Sequence, residues 1–171
     1  MALSVPRMDE LESRAWLALV TTAELLPAAL DSQLRAEAGI THFEFMVLSG
    51  LKRAEGNTLR MSDIAAMVDS TLPRLSKVIG KLVERGLVER EAAARDGRVI
   101  NVRLTSAGRR VLVRALPGHL AQVRELIIDR LDRDQLEALA GILEPLVQRL
   151  DPARRMGALA GAESYAGDHG R

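Results

Sequence analysis

Between Leu59 and Thr105 the chain reads LRMSDIAAMVDSTLPRLSKVIGKLVERGLVEREAAARDGRVINVRLT, and caps, apolar spacing and turn residues all agree along that stretch. Ser62 is placed to cap a short helix whose Ile64, Ala65, Met67 and Val68 face inward, and Asp69-Ser70 break its period. Thr71 is a second cap. Pro73 stands in the first turn behind it, where a missing N–H leaves nothing unpaired, and Leu75, Val78, Ile79 and Leu82 recur at helical spacing as one buried stripe. The opposite face presents Pro73, Arg74, Ser76, Lys77, Gly80 and Lys81, with no carboxylate before Glu84, which suits a phosphate-lined groove.

Arg85-Gly86 stops this helix, and two short alternating runs follow, Leu87 to Arg90 and Val99 to Leu104. In the second, Val99, Asn101 and Arg103 alternate with Ile100, Val102 and Leu104. Asp96-Gly97 between them is a hairpin-turn dipeptide, and it sets Arg95 and Arg98 at the tip of a β-ribbon beside the second helix. Two helices, a turn and a ribbon make a winged helix-turn-helix. The pattern LxxSDIAxxVDST…LSKxIxKLVERGLVER…DGRxxxVxLTxAG closely resembles the MarR family of bacterial transcriptional regulators. The ERGLVER junction, the Asp-x-Arg wing tip and the LTSAG exit occur in order at family spacing, and the resemblance runs from roughly Glu10 to Leu150.

The rest of the chain fits one compact unit around that module. With 171 residues, 47% of them hydrophobic, one good core can be buried and no second fold is required. No run of 18 apolar residues occurs and the start, MALSVPRMDELE, turns acidic within ten residues, so the expectation is a cytoplasmic protein without a membrane partner. Zero cysteines exclude disulfides, thiolate metal sites and the thiol-oxidation switch used by some proteins of the family it resembles. The net charge of +1 hides an asymmetry: residues 71–110 hold ten Lys/Arg against four Asp/Glu, leaving the remainder at 14 against 19. A basic module in an acidic body is the electrostatic footprint of a DNA binder.

Taken in order, residues 1–9 form a flexible N-terminus. Glu10 to Glu37 is a long helix with Leu11, Ala15, Leu19, Leu25, Leu26, Leu30 and Leu34 on one side, which Pro27 is expected to kink or split. Gly39 ends it. Thr41 and Glu44 form a capping box for a helix reaching about Arg53 and packing through Phe45, Met46, Leu48 and Leu51. Glu55-Gly56-Asn57 is a turn, and Thr58 to Arg60 is a strand for pairing with the wing. Thr105 caps the helix after the wing, Gly108 permits close packing in its first turn, and the apolar pattern continues past Pro117-Gly118. Asp132 with Gln135 opens the last helix, which carries Leu136, Leu139, Ile142, Leu143, Leu146, Val147 and Leu150. Residues 151–171 are Gly- and Ala-rich and aperiodic, a flexible tail.

No catalytic constellation, metal motif or cofactor-binding loop occurs, and His42, His119 and His169 stand isolated in the sequence, so the chain is not expected to be an enzyme or to need a cofactor. The expected fold is mainly α: three helices and a small β-wing form a DNA-binding lobe at 41–104, and the long terminal helices at 10–37 and 105–150 form a dimerisation domain. Those terminal helices are too apolar to stand alone, and a symmetric dimer would bury their stripes. The family resemblance implies the same homodimer, its two lobes on one double-stranded DNA operator built as an inverted repeat, and repression by blocking polymerase. It also implies that Thr71, Leu72, Pro73, Arg74, Ser76 and Lys77 open the base-reading helix. Arg74 and Lys77 would reach guanine or phosphate, Ser76 either strand, and Leu72 or Pro73 a thymine methyl. Lys81 continues the cationic face. Arg98 would enter the minor groove with Asp96 holding it, beside Arg95. Gly80 departs from the family pattern, which commonly has a long polar residue there. A small phenolic or lipophilic anion would be the effector, with Trp16, His42 and Phe45 on helices near its crevice. The rival readings are a protein-interaction module and a non-specific DNA-architectural dimer.

Overall fold

Asp9 opens the first helix with a reciprocal capping box: its carboxylate accepts from the Glu12 N–H, and the Glu12 carboxylate accepts from the Asp9 N–H. In the computed structural model, which describes residues 7–93 and 96–153, this helix is α1 (Glu10–Ala38). It runs through Pro27 as one helix, so of the kink or split expected there the split does not occur. Proline removes one donor, and the helix-forming segments AWLALVTTAELL and AALDSQLRAEA on either side keep the remaining ladder cooperative. Gly39, at φ +65°, ends it in the left-handed conformation that glycine accepts most readily.

Then come α2 (His42–Arg53), a short 3-10 turn over Glu55–Asn57, β1 (Thr58–Arg60), α3 (Met61–Met67) and α4 (Leu72–Glu84). The wing is β2 (Val88–Ala93) and β3 (Asp96–Leu104), followed by α5 (Ser106–Leu126), a single 3-10 turn over Ile128–Arg130, and α6 (Arg133–Leu150). The capping boxes expected at Thr41/Glu44 and Asp132/Gln135, and the Thr71 and Thr105 caps, are all present. Ser62 is not a cap: β1 runs directly into α3, Arg60 takes the cap position without a side-chain bond, and the Ser62 hydroxyl donates instead to Asp63. The sheet is antiparallel in the order β1-β3-β2, with Leu59 and Arg90 both opposite Val102.

The ribbon is longer than the alternation predicted. Pairing runs from Val88↔Leu104 to Ala92↔Ile100 and then jumps to Ala93↔Asp96, so Asp96 and Gly97 belong to β3 and are not the turn. A glycine beside a register jump is what an irregular strand tolerates. Arg95, the side chains of Asp96 and Arg98, and the tail from residue 154, including His169, lie outside the described residues.

One core holds the winged lobe. Leu48 and Leu51 of α2, Ile64 of α3, Leu75, Ile79 and Leu82 of α4, and Val88 and Val102 of the wing are all fully enclosed. Leu34 of α1, with Leu112 and Ala115 of α5, closes that core from the side of the terminal helices. Val47 is as buried as Leu48, whereas Met46, expected inside, is only half-buried. The terminal helices are different. In the single chain α6 buries no residue, and on α1 only Leu30 and Leu34 are buried, while Leu11, Leu17, Leu19 and Leu25 face outward.

Candidate nucleic-acid interface

The Thr71 hydroxyl accepts the Arg74 N–H at 3.4 Å and so fixes where α4 begins and which way it turns. With Leu75, Ile79 and Leu82 pointing into the core, Thr71, Leu72, Pro73, Arg74, Ser76, Lys77 and Lys81 all come out on the exposed side. That single face holds a helix N-terminus, three cations, two hydroxyls and an apolar edge. A helix N-terminus favours anions, and the three basic side chains beside it favour them too.

Two residues on neighbouring elements touch this face, and the sequence alone did not single out either. The Arg74 guanidinium lies over the Phe43 ring, 5.1 Å from its centroid. Arg90 of β2 donates to the Ser76 carbonyl oxygen at 2.7 Å and to Ser76 Oγ at 3.3 Å, which ties wing to helix. Because Ser76 Oγ accepts from Arg90, its own proton is free to be donated outward, to a phosphate oxygen or a base acceptor. Phe43 was hidden inside a capping box. Strand alternation could have found Arg90, since it shares a sheet face with the buried Val88.

The basic count of the segment overstates what it offers a polyanion. Arg103 of β3 is spanned by two carboxylates of β2, Glu91 at 2.7 Å and Glu89, on the outer face of the wing. Arg85 contacts Glu44 at 3.4 Å and the Gly39 carbonyl at 2.9 Å, fastening the end of α4 to the start of α2. Arg109 donates to Asn57 Oδ1. Arg74, Lys77 and Lys81 make no described ion pair with a carboxylate, so the cations on the exposed face of α4 remain available. Asp96 and Arg98 lie on the backbone of β3, at the end away from Leu104.

The residues nominated for an effector crevice are only partly gathered. His42 and Phe45 of α2 both face His119 of α5, with ring centroids 6.1 Å and 4.4 Å away. His42 and His119, isolated in sequence, are therefore neighbours in space. Asp31 of α1 accepts the His42 N–H at 2.8 Å, and Arg35 lowers the pKa of that carboxylate through their direct hydrogen bond. Trp16 is elsewhere: 53% exposed and about 22 Å along α1 from Asp31, it does not reach this cluster of rings in its own chain.

His119 is 4% exposed, and its Nδ1 finds no hydrogen-bond partner among the described residues. Burial, with some help from His42, lowers its pKa from 6.5 to about 4. Burial also lowers the pKa of His42, opposed by Asp31; Glu37 of α1 abuts Gly118, and Glu44 of α2 lies in the capping box that holds His42. A histidine depressed on folding binds its proton more readily when unfolded, so its stabilisation is complete above the unfolded pKa and is lost as pH falls toward the folded one. Chemical unfolding should show about 2 kcal/mol less stability at pH 5 than at pH 7, and His119→Phe should flatten that difference. Equal slopes in the two proteins would remove His119 as the cause.

The geometry can be set beside known proteins. The sequence pattern of the MarR family matches residues 38–99, which span α2 to the outer wing. Sco3205 of Streptomyces coelicolor, a MarR family transcriptional regulator solved in complex with DNA, superposes with a TM-score of 0.80 at 33% identity, over 88% of this chain and 95% of its own. The chain belongs to the MarR family. It is thus a winged helix-turn-helix transcription regulator and not an enzyme. AbsC, another MarR family regulator of the same organism, is similar at TM-score 0.79 and 30% identity, over 86% of this chain and 99% of its own. Transcriptional repressor MprA of Escherichia coli is 27% identical over 136 residues, 78% of this chain and 75% of its own length. The family places α4 as the second helix of the helix-turn-helix and β2–β3 as the wing. Among the described residues of this MarR-family chain, no helix is long and apolar enough to cross a membrane.

Proposed function

We propose that this regulator is a homodimeric repressor that reads an inverted-repeat operator with α4 and its wing, and that a small lipophilic anion releases it. The observation that carries the reading is the outer face of α4, where Arg74, Ser76, Lys77 and Lys81 stand exposed with none of their cations held by a described carboxylate. The DNA-bound state of the Streptomyces relative and the repressor name of the Escherichia relative support it. Residues 41–104 form the DNA-binding lobe, and 10–37 with 105–150 the dimerisation body. Arg74 and Lys77 reach guanine edges or phosphates, Ser76 donates its hydroxyl proton, and Leu72 or Pro73 meets a thymine methyl. Arg98, with Asp96 and Arg95 beside it, enters the flanking minor groove. The effector would sit by His42 and Phe45, between α1, α2 and α5.

Selection of bound fragments from the genomic DNA of the source organism tests this. The expected product is an inverted repeat whose half-sites lie about 34–36 Å apart, one helical turn. With about eight phosphates contacted, log K should fall against log salt with a slope near −7. Enrichment without a two-fold motif defeats the specific repressor in favour of an architectural role, and a slope near zero favours a protein-interaction module.

A further inference from the structure

We propose that Phe43 of α2 is a positioning residue for base readout: it holds the Arg74 guanidinium by its face and leaves the guanidinium edges free for DNA. The inference rests on the reading that Arg74 contacts DNA, and it adds what presets that contact. Arginine makes two kinds of interaction that do not compete, stacking through its planar face and hydrogen bonding through the N–H groups at its rim. Guanine recognition in the major groove uses only the rim, through two parallel bonds to O6 and N7. Arg103 and Arg85 of the same lobe already donate their rims to the carboxylates of Glu91, Glu89 and Glu44. Arg74 instead lies 5.1 Å over an aromatic ring, a contact that restricts its rotamers without using a donor.

The ring itself is well anchored. Phe43 is half-buried against the core cluster, and its backbone lies inside the capping box in which Glu44 accepts the Thr41 N–H at 2.7 Å and Thr41 accepts the Glu44 N–H at 3.0 Å. Next to it, the His42 N–H is held by Asp31 of α1 at 2.8 Å. The platform under Arg74 is therefore fixed by bonds on both sides before any DNA arrives. A long side chain that is already ordered loses less freedom on binding, which tightens the complex and sharpens its geometry.

The test is a double-mutant cycle on the selected operator, and on operators altered at the base pair where Arg74→Ala relaxes discrimination. Phe43→Leu keeps apolar bulk and removes the aromatic face; Phe43→Tyr keeps the face. In an otherwise unchanged dimer, Phe43→Leu should weaken operator binding about 5- to 30-fold, since each of the two Arg74 side chains must then be ordered on binding, and should reduce discrimination at that base pair. Phe43→Tyr should stay within about 2-fold of the parent. Added to Arg74→Ala, Phe43→Leu should cause no further loss. An undiminished loss in that background overturns the inference, because a damaged core or a direct Phe43–DNA contact persists without Arg74. If Arg74→Ala alone leaves affinity and discrimination unchanged, the assignment of Arg74 to the DNA falls, and this inference falls with it.

Discussion

Replacing Ile142 and Leu146 of α6 together by glutamate should give a folded monomer that binds its operator about 100-fold to 10,000-fold more weakly than the parent. In the single chain the two side chains are 63% and 41% exposed, so carboxylates there are solvated and the fold should change by no more than about 0.5 kcal/mol. Glutamates four residues apart on one helix repel by only about 0.2–0.5 kcal/mol. In the proposed dimer the same positions would be covered. Trp16, Leu17 and Leu25 of α1 and Val147 and Leu150 of α6 are also exposed, an apolar surface that a second copy can bury at roughly 1.5–3 kcal/mol per side chain. Unpaired carboxylates forced into that interface would each forfeit several kcal/mol of hydration. Losing the dimer separates two winged lobes, and linkage of two binding units is worth about 10²- to 10⁴-fold. Sedimentation with fluorescence titration measures both halves of the expectation. A variant that remains dimeric at micromolar concentration would take α6 out of the interface.

Gly108→Ala and Gly80→Ala should act in opposite directions. A Cβ on Gly108 would sit 2.1 Å from the Leu87 carbonyl oxygen and 2.7 Å from a Leu104 methyl. That carbonyl cannot withdraw easily, because it accepts from both the Thr105 N–H at 3.1 Å and the Thr105 hydroxyl at 3.0 Å. Backbone would have to move at the point where α4, the wing and α5 meet. A loss of about 3 kcal/mol follows, at the upper end of the usual range for overpacking. It corresponds to a fall in Tm of about 6–12 °C. Gly80 meets nothing within 4 Å, so alanine there should gain up to about 1 kcal/mol of helix propensity. Parallel thermal melts compare the two. Tolerance of alanine at Gly108 would mean that α5 does not pack on Leu87 as closely as described.

What the sequence made legible was local. The caps at Thr41, Thr71, Thr105 and Asp132 each depend on a residue three positions away, and each is present. The buried stripe of α4 determined which of its residues face outward, so the exposed face followed from spacing alone. Contacts set by tertiary placement were not legible: Arg85 meets Glu44 from 41 residues away, Arg90 meets Ser76 from 14, and His42 stacks on His119. Ser62 failed as a cap because a strand abuts α3, and the Asp96-Gly97 turn failed because a register jump lengthened β3. On α1 and α6 the apolar period was readable. What covers it was not, since periodicity marks a surface to be buried without naming the chain that buries it.

The Thr105 hydroxyl shares its one proton between the Leu87 carbonyl and the Gly86 carbonyl, the latter at 2.7 Å, so one side chain grips the strand entering the wing at the very place where the chain leaves it. The excursion between them is thereby pinched off at its neck, much as a stem closes a hairpin loop. Lengthening a closed loop carries little penalty, about 0.6 kcal/mol per doubling. Residues can thus be inserted, deleted or exchanged at the far end of the ribbon, beyond the buried Val88 and Val102 and the tie from Arg90 to Ser76, without altering the seat of α4 or α5. If the wing reads the operator flanks and α4 the half-sites, as proposed, the two preferences can therefore be inherited and selected as separate traits, drifting at different rates.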